Sequence, residues 1–234
     1  NPIVRNITLI PGWTLEDFAA KLVEDGVLQD SKEFLELCRT GSAYADFYYV
    51  ADVLADKKLP QRKYALEGYL SPNTYEVYVT ATADDIIRRL LSQTENTFPV
   101  DRQDQADELG YTMDEILTLA SMIEKEAKED DFAKVSAVFH NRLKKGMPLQ
   151  ADPTIKYAMQ DFGLRRILHK HLKYPSPYNT YINKGLPPTP ICMPGKNAIE
   201  AVLNYEKHNY LFFCARPTFD GCLLYTSPSP RDKR

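Results

Sequence analysis

The chain has 234 residues, of which 44% are hydrophobic and 26% are charged, with a formal net charge of −3 at pH 7. This composition is typical of a soluble globular protein and excludes collagen, long disorder and a disulfide-stapled miniprotein. The charge argues against a nucleic-acid binder that works through a basic face. The sequence contains neither a run of about 18 apolar residues nor a signal peptide, so no membrane span is predicted within it.

The first hundred residues predict a small α+β unit. Residues 7–9 alternate as in a strand, and Thr14 with Asp17 marks the start of a helix. Further helices are predicted over residues 31–37, 44–54 and 82–91, and a second strand over residues 75–79. The polar stretch Val100–Gly110 is interpreted as the separator between this unit and the rest of the chain.

The second part of the chain opens with an amphipathic helix. Thr112 and Glu115 form a capping box, after which apolar residues recur at the helical period. A second helix follows, and Asp152-Pro153 is typical of the start of a third. Residues 174–195 contain six prolines and predict an irregular segment. Such a segment inside a compact domain often forms the wall of a cleft.

The C-terminal segment Cys222–Arg234 shows neither hydrophobic periodicity nor turn signals. Its first eleven residues match the translation of a common transposon-type sequencing adapter, and we interpret residues 222–234 as a cloning or sequencing artefact. Cys38, Cys192 and Cys214 then remain, without metal-binding spacing and without an even-numbered framework. We therefore predict three unpaired thiols, and we expect both ends of the natural protein to lie outside this sequence.

Two glutamates, Glu124 and Glu126, flank the apolar stripe of the helix that follows Thr112. Periodicity alone favours a solvated helix face for both. Glu124 has Lys128 four residues later, in the favourable order for a helical ion pair. Glu126 lies between apolar residues and further acidic residues, and both surroundings raise a carboxyl pKa. A raised pKa suits a general acid, so Glu126 is the candidate acid and Glu124 the structural pair-former.

A second carboxylate usually assists the acid of a glycosidase, and Asp152 is the best candidate. An N-cap of the helix at Pro153 is an equally good interpretation of Asp152. If Asp152 is only a cap, Glu126 suffices when the attacking group is a hydroxyl of the substrate itself. The same carboxyl then acts first as acid and afterwards as base, and no water has to be activated.

Polar and aromatic residues in the proline-rich stretch suit sugar binding. The tyrosine face of Tyr178 can stack on a sugar ring, and the polar groups of Asn179 and Thr180 can bond to hydroxyl or acetamido groups. The alternative is that they are turn residues and a packed tyrosine. His169-Lys170-His171 has no carboxylate nearby in the sequence, and we expect neither a metal nor a cofactor.

Six ordered sequence blocks resemble the YceG-like (MltG-type) endolytic murein transglycosylases of bacteria. The blocks are Leu66–Tyr75, Ala120–Glu126, Val138–Leu143, Gly146–Thr154, Ser176–Tyr181 and Gly185–Pro188. The resemblance covers roughly residues 7–220. It implies an α+β protein with a LysM-like module over residues 1–98. A catalytic domain of mixed helices and strands, with the proline-rich cleft segment, is expected over residues 99–221.

The resemblance implies a lyase that cleaves the β-1,4 bond between N-acetylmuramic acid and N-acetylglucosamine in peptidoglycan strands. The muramic C6 hydroxyl attacks its own anomeric carbon and leaves a 1,6-anhydro end, and the family's catalytic glutamate falls on Glu126. The residues expected to line the sugar subsites are Asn141, Gln150, Asp152, Tyr178, Asn179 and Thr180. Two alternatives stay open, a hydrolytic muramidase that uses Glu126 with Asp152, and a peptidoglycan-binding scaffold without catalysis.

The resemblance also implies a location and partners. Family members are single-pass membrane proteins, so the domain is expected outside the bacterial plasma membrane, with its anchor upstream of Asn1. The cell-wall synthesis machinery is the expected partner, in the termination of glycan strands. Asn73 departs from the family's usual Asp and Thr189 from its usual Gly. If the Gly has a positive φ, Thr189 is expected to be strained.

Overall fold

The computed structural model describes residues 3–216, 218 and 223–227. Its helices and strands, in chain order, are β1 (Val4–Leu9), α1 (Leu15–Glu24), α2 (Lys32–Thr40), α3 (Tyr48–Ala55), β2 (Asn73–Tyr78), α4 (Ala83–Thr97), α5 (Val100–Leu109), α6 (Met113–Glu126), α7 (Phe132–Lys144), α8 (Asp152–Met159), α9 (His169–Leu172), α10 (Lys196–Leu203), β3 (Phe212–Ala215) and β4 (Leu223–Thr226). β1 pairs with β2 and β3 with β4, both antiparallel. The fold is therefore α+β, as the sequence predicts.

Three helices begin after threonine N-caps at which the sequence predicts helix starts: Thr14, Thr82 and Thr112. In each case the hydroxyl accepts the backbone N–H of the residue three positions later, whose carboxylate accepts the threonine N–H. The interpretation of Val100–Gly110 as a polar separator missed α5. This helix buries Ala106 and leaves its other residues at least partly exposed, so its sequence has no apolar stripe to reveal it.

One continuous cluster of buried apolar side chains runs from Ile7 in β1 to Leu203 in α10 within the described residues. Polar contacts also cross the predicted boundary at residues 98–99. Arg62 Nη2 donates to Asp114 at 2.7 Å, and the Tyr69 hydroxyl donates to the same carboxylate at 2.5 Å. The division into units 1–98 and 99–221 stays a prediction, and in the structure the two segments share a core.

The Leu66–Tyr75 block lies where the two segments meet. Gly68 has a φ of +89°, and its N–H donates to Met193 Sδ at 3.2 Å. The backbone of Met193 is paired with the β1–α1 loop, since its carbonyl accepts the Gly12 N–H at 2.9 Å and its own N–H donates to the Trp13 carbonyl at 2.7 Å. These hydrogen bonds hold the Met193 backbone in place next to Gly68.

Glu67 lies in the same block and is buried between the two segments. Its carboxylate accepts the N–H of Leu15, the first residue of α1, at 3.0 Å and the hydroxyl of Tyr157 in α8 at 3.3 Å. The pKa of Glu67 is raised to about 8, chiefly by burial, and the nearby charges of Glu16 and Asp17 add to the rise. The two hydrogen bonds, which favour the ionised form, offset part of this effect.

We expect the free energy of unfolding to decrease as the pH rises from about 4.5 to about 8. The Glu67 carboxyl binds its proton more tightly in the folded chain than at its usual pKa of 4.5, so its stabilising contribution is complete below that value. The contribution is then lost as the pH rises through about 8, at up to ~1.4 kcal/mol per pH unit. Urea denaturation at several pH values measures this slope.

The Glu67→Gln variant is the test of that assignment. Its amide keeps an oxygen for the Leu15 N–H and does not titrate, so the slope should become shallower than in the wild type. Glu33→Gln, at an exposed position in α2, is the control and should leave the slope unchanged. An unchanged slope in Glu67→Gln would contradict the prediction.

β4 falls within the segment that the sequence analysis set aside as an artefact. Leu223–Thr226 pairs with Phe212–Ala215, and the Tyr225 hydroxyl donates to Asp131 at 2.9 Å. The sequence analysis predicted no element here, and the structure shows that four consecutive strand-forming residues extend β3 into a hairpin. The origin in an adapter stays a prediction, and residues 222 and 228–234 lie outside the described residues.

Cys38 and Cys192 are buried and Cys214 is half-buried, and all three are free thiols. Among the helices of the described ranges, none combines the length and apolar character that crossing a bilayer requires.

Candidate active site

Glu126 is the last residue of α6, which ends there because Ala127 adopts an extended backbone. The residue as a whole is half-buried, but its Oε2 atom is buried and has no hydrogen-bond partner within the described chain. The pKa of Glu126 is raised to about 8, chiefly by burial and additionally by the charge of Asp152, while the charge of Lys156 opposes the rise. Glu126 is therefore mostly protonated at neutral pH, the state that a general acid needs.

The sequence selects Glu126 correctly as a carboxyl with a raised pKa, but it assigns the wrong like charges. The repulsive charge is that of Asp152, which comes from α8, and not that of the acidic residues that follow Glu126 in the chain. Glu124 also differs from expectation, because α6 ends before Lys128 and the helical ion pair cannot form. Its carboxylate accepts the backbone N–H of Gly195 instead.

Glu126 lines a cleft of about 580 Å³. The other lining residues are Val138, Arg142, Met147, Pro148, Leu149, Gln150, Asp152, Tyr181, Leu211, Phe212, Phe213 and Cys214. Asp152 is the first residue of α8, with Ala151 as its N-cap, so the N-cap interpretation of Asp152 is wrong. Its Oδ1 accepts the Tyr181 hydroxyl at 2.5 Å instead. The cleft thus brings together two carboxyl groups and a phenol.

Gln150 is exposed at the same cleft and has a φ of +51°, which is unusual for a residue with a side chain. Its N–H donates to the Thr180 carbonyl at 3.1 Å, which fixes this backbone against the proline-rich segment. Glu126, Gln150 and Asp152 are therefore the predicted site residues that the structure places together.

Asn141 and Tyr178 lie outside the lining of the cleft. The Asn141 amide donates to the carbonyls of His208 and Tyr210, at 2.7 and 3.0 Å, and so holds the segment that leads to β3. Tyr178 is buried, and its hydroxyl shares a hydrogen bond with that of Thr189. Thr189 does not have a positive φ, so the strain expected there is absent.

Asn179 and Thr180 are also buried in framework contacts. The Asn179 amide donates to the carbonyls of Leu172 and Tyr174, at 3.0 and 2.9 Å. The Thr180 hydroxyl accepts the N–H of Ala151 at 3.0 Å. These bonds support the interpretation of both residues as turn polars, which position the backbone around Tyr181 and the start of α8. Direct sugar contacts of these side chains stay a prediction.

A family model described as the YceG-like family matches residues 1–227. The chain belongs to the YceG-like family. The endolytic murein transglycosylase of Bacillus subtilis (strain 168) is 44% identical over 166 residues, which cover 70% of this chain and 45% of the relative. That of Streptococcus pneumoniae (strain R6) is 32% identical over 241 residues, or 97% of this chain and 43% of the relative.

A crystal structure of a YceG-like protein from Listeria monocytogenes superposes with a TM-score of 0.86. Its sequence is 32% identical, and the match covers 97% of this chain and 75% of that one. This YceG-like chain spans less than half the length of the curated relatives that it matches.

Sequence reasoning missed Arg142 in this YceG-like chain. Arg142 follows Val138 by four positions and Val135 by seven, so it falls on the apolar stripe of α7. A charged residue on a buried helix face is unusual, and that position was the available signal. Phe212, whose ring centre lies 4.7 Å from the Arg142 guanidinium carbon, was not predicted as a site residue either. It joins the cleft through tertiary contacts, which leave no local signal in the sequence.

Proposed function

We propose that this YceG-like chain is the catalytic part of an endolytic murein transglycosylase. Glu126 is the observation that supports this: a carboxyl with a buried, unpartnered oxygen and a pKa of about 8, in an open cleft. The names of its relatives support peptidoglycan as the substrate. The finer statement, cleavage of the bond from N-acetylmuramic acid to N-acetylglucosamine with a 1,6-anhydro product, is part of the proposal.

In the proposed mechanism Glu126 acts twice. Its protonated carboxyl donates a proton to the glycosidic oxygen, so the bond from the muramic anomeric carbon to that oxygen breaks and the N-acetylglucosamine end leaves. The muramic C6 hydroxyl oxygen bonds to the anomeric carbon, and its proton passes to the Glu126 carboxylate. The acid is thereby restored, and no water is consumed.

The electrostatics of the cleft suit both steps. Burial and the Asp152 charge keep Glu126 protonated for the first step and make its carboxylate an unusually strong base for the second. We assign to Asp152, whose carboxylate accepts the Tyr181 hydroxyl, the stabilisation of positive charge that develops on the sugar ring. Glu126 and Asp152 together can thus catalyse the transglycosylase reaction, and no water has to be activated.

The location and the partners belong to the same proposal. Peptidoglycan strands lie outside the cytoplasm, so the catalytic domain is expected there, tethered by an anchor upstream of Asn1 and beside the cell-wall synthesis machinery. The LysM-like module is proposed for residues 1–98, where β1 and β2 pair across the intervening helices. We propose no nucleic-acid partner and no cofactor.

A hydrolytic muramidase is the second candidate, because Asp152 interacts with Glu126 electrostatically and could serve as a second catalytic carboxylate. The products separate the two, since a 1,6-anhydro end is lighter than its hydrolytic counterpart by one water. Mass spectrometry of purified glycan strands after incubation should show anhydro ends. A peptidoglycan-binding scaffold predicts binding without any cleavage.

The Asp152→Asn variant sharpens this test. We expect kcat to fall on the order of 100-fold, since a stabilising charge is lost, while the residual product keeps its anhydro end. Asp161→Asn, at an exposed position beyond α8, is the control and should retain wild-type kcat. Reducing ends from the wild type, together with complete loss of turnover in Asp152→Asn, would replace the transglycosylase by a hydrolase.

A further inference from the structure

Arg142 brings a positive charge into the cleft of Glu126. The residue is 6% exposed and comes from α7. Its Nε donates to the Leu211 carbonyl at 2.7 Å, and its Nη1 donates to the Pro148 carbonyl at 2.8 Å. The guanidinium carbon lies 4.7 Å from the centre of the Phe212 ring. These contacts fix the position of the guanidinium plane in the cleft wall.

No carboxylate of the described residues balances the charge of Arg142. No carboxylate of the described residues lies within 4.0 Å of its guanidinium, whereas Arg62 pairs with Asp114 at 2.7 Å and Arg102 with Glu200 at 3.1 Å. Burial lowers the pKa of Arg142, but a guanidinium remains protonated at neutral pH. Buried charges in proteins are normally paired, so an unbalanced one in a cleft indicates a ligand.

The Nη2 group is the part of Arg142 that remains available. Nε and Nη1 donate to protein oxygens, among them Gln150 Oε1 at 3.4 Å, while no described residue accepts from Nη2. Nη2 is also not fully buried, so a ligand can reach it. A charge-assisted bond to a carboxylate would use this group.

We propose that Arg142 binds a carboxylate on the peptide arm of the muramic acid residue, and so sets a preference for strands that carry charged stem peptides. This inference rests on the proposed function. The sugars of a strand are neutral where the lactyl group is amide-linked, and the negative charges lie on the peptide arm. An unbalanced cation in the cleft therefore selects the arm rather than the sugar rings.

The experiment compares two samples of the same glycan strands. In both, the stem-peptide amines are acetylated, and in one the stem carboxylates are also converted to methylamides with a carbodiimide. The wild type should show a KM roughly 10- to 100-fold higher for the neutralised strands, with a similar kcat. In Arg142→Gln the KM for the charged strands should rise, so that the two samples have similar KM values.

Matched variants separate recognition from structural damage. Arg142→Lys keeps the charge and should keep part of the ratio, while Arg102→Gln removes a partly exposed arginine away from the cleft and should keep all of it. Equal losses on both samples in Arg142→Gln, with the ratio unchanged, would overturn the inference and assign Arg142 to the framework. A wild type that does not distinguish the samples would also overturn it.

Binding provides a readout that does not depend on cleavage. The affinities of Glu126→Gln and of the double variant Glu126→Gln/Arg142→Gln for both samples can be measured by calorimetry. A preference of the single variant for charged strands that disappears in the double variant supports Arg142 even if the wild type cleaves nothing. Cleavage without any such preference leaves the proposed function standing and rejects the role of Arg142.

Discussion

Glu126→Gln is expected to lose roughly 10³-fold or more in kcat on glycan strands while keeping its fold. Glutamine has the shape of the protonated carboxyl, but its amide cannot deliver a proton to the glycosidic oxygen or take one from the C6 hydroxyl. Stability at pH 7 should change little, because glutamine replaces a mostly neutral carboxyl of the same shape and Oε2 has no hydrogen bond to the described residues that could be lost. Kinetics by mass spectrometry and thermal unfolding by circular dichroism measure both effects.

Glu124→Gln is the matched control, since the two glutamates lie two residues apart on the same turn of α6. Glu124 does not line the Glu126 cleft, and its carboxylate accepts the Gly195 N–H, a bond that the glutamine oxygen can retain. This variant should keep kcat within a few-fold of the wild type. A Glu126→Gln enzyme within tenfold of the wild type would reject Glu126 as the acid, as would an equal loss in Glu124→Gln.

The parts of the structure that the sequence predicts well are those set by local interactions. The helix starts at Thr14, Thr82 and Thr112 are predicted correctly, because each is set by a capping box of residues within one turn. The alternation in β1 and β2 likewise reports which side chains face the core. α5 was missed because it buries almost nothing, so its packing leaves no periodic signal.

The candidate site was predicted less completely, because it is assembled from distant segments. Local neighbours identify Glu126 as a carboxyl with a raised pKa, but the repulsion from Asp152 arises only when α8 packs near the end of α6. Tyr178 and Asn179 were candidates by residue type, and tertiary contacts bury both. Residue types that suit sugar binding therefore indicate which segment lies near the site, but they do not identify the side chains that contact the sugar.

Gly68→Ala is expected to lower the free energy of unfolding by about 3–5 kcal/mol, a large share of the ~5–15 kcal/mol of a typical domain. At a φ of +89° any side chain is strained, and an added Cβ would lie 2.3 Å from Cβ of Pro190. Pro190 cannot easily retreat, because its carbonyl accepts the Thr189 hydroxyl and the next N–H, that of Ile191, donates to Ser121.

Gly185→Ala separates the strain of the backbone from the clash. Gly185 has a similar φ of +82°, but an added Cβ there would meet nothing within 4 Å, so its cost should be only ~1–2 kcal/mol. Urea denaturation of both variants measures the difference. Equal costs would mean that Pro190 yields, and that the contact between the Leu66–Tyr75 block and the proline-rich segment is loose. A larger cost for Gly68→Ala means that Pro190 does not move aside, so the Leu66–Tyr75 block and the proline-rich segment are held tightly against each other.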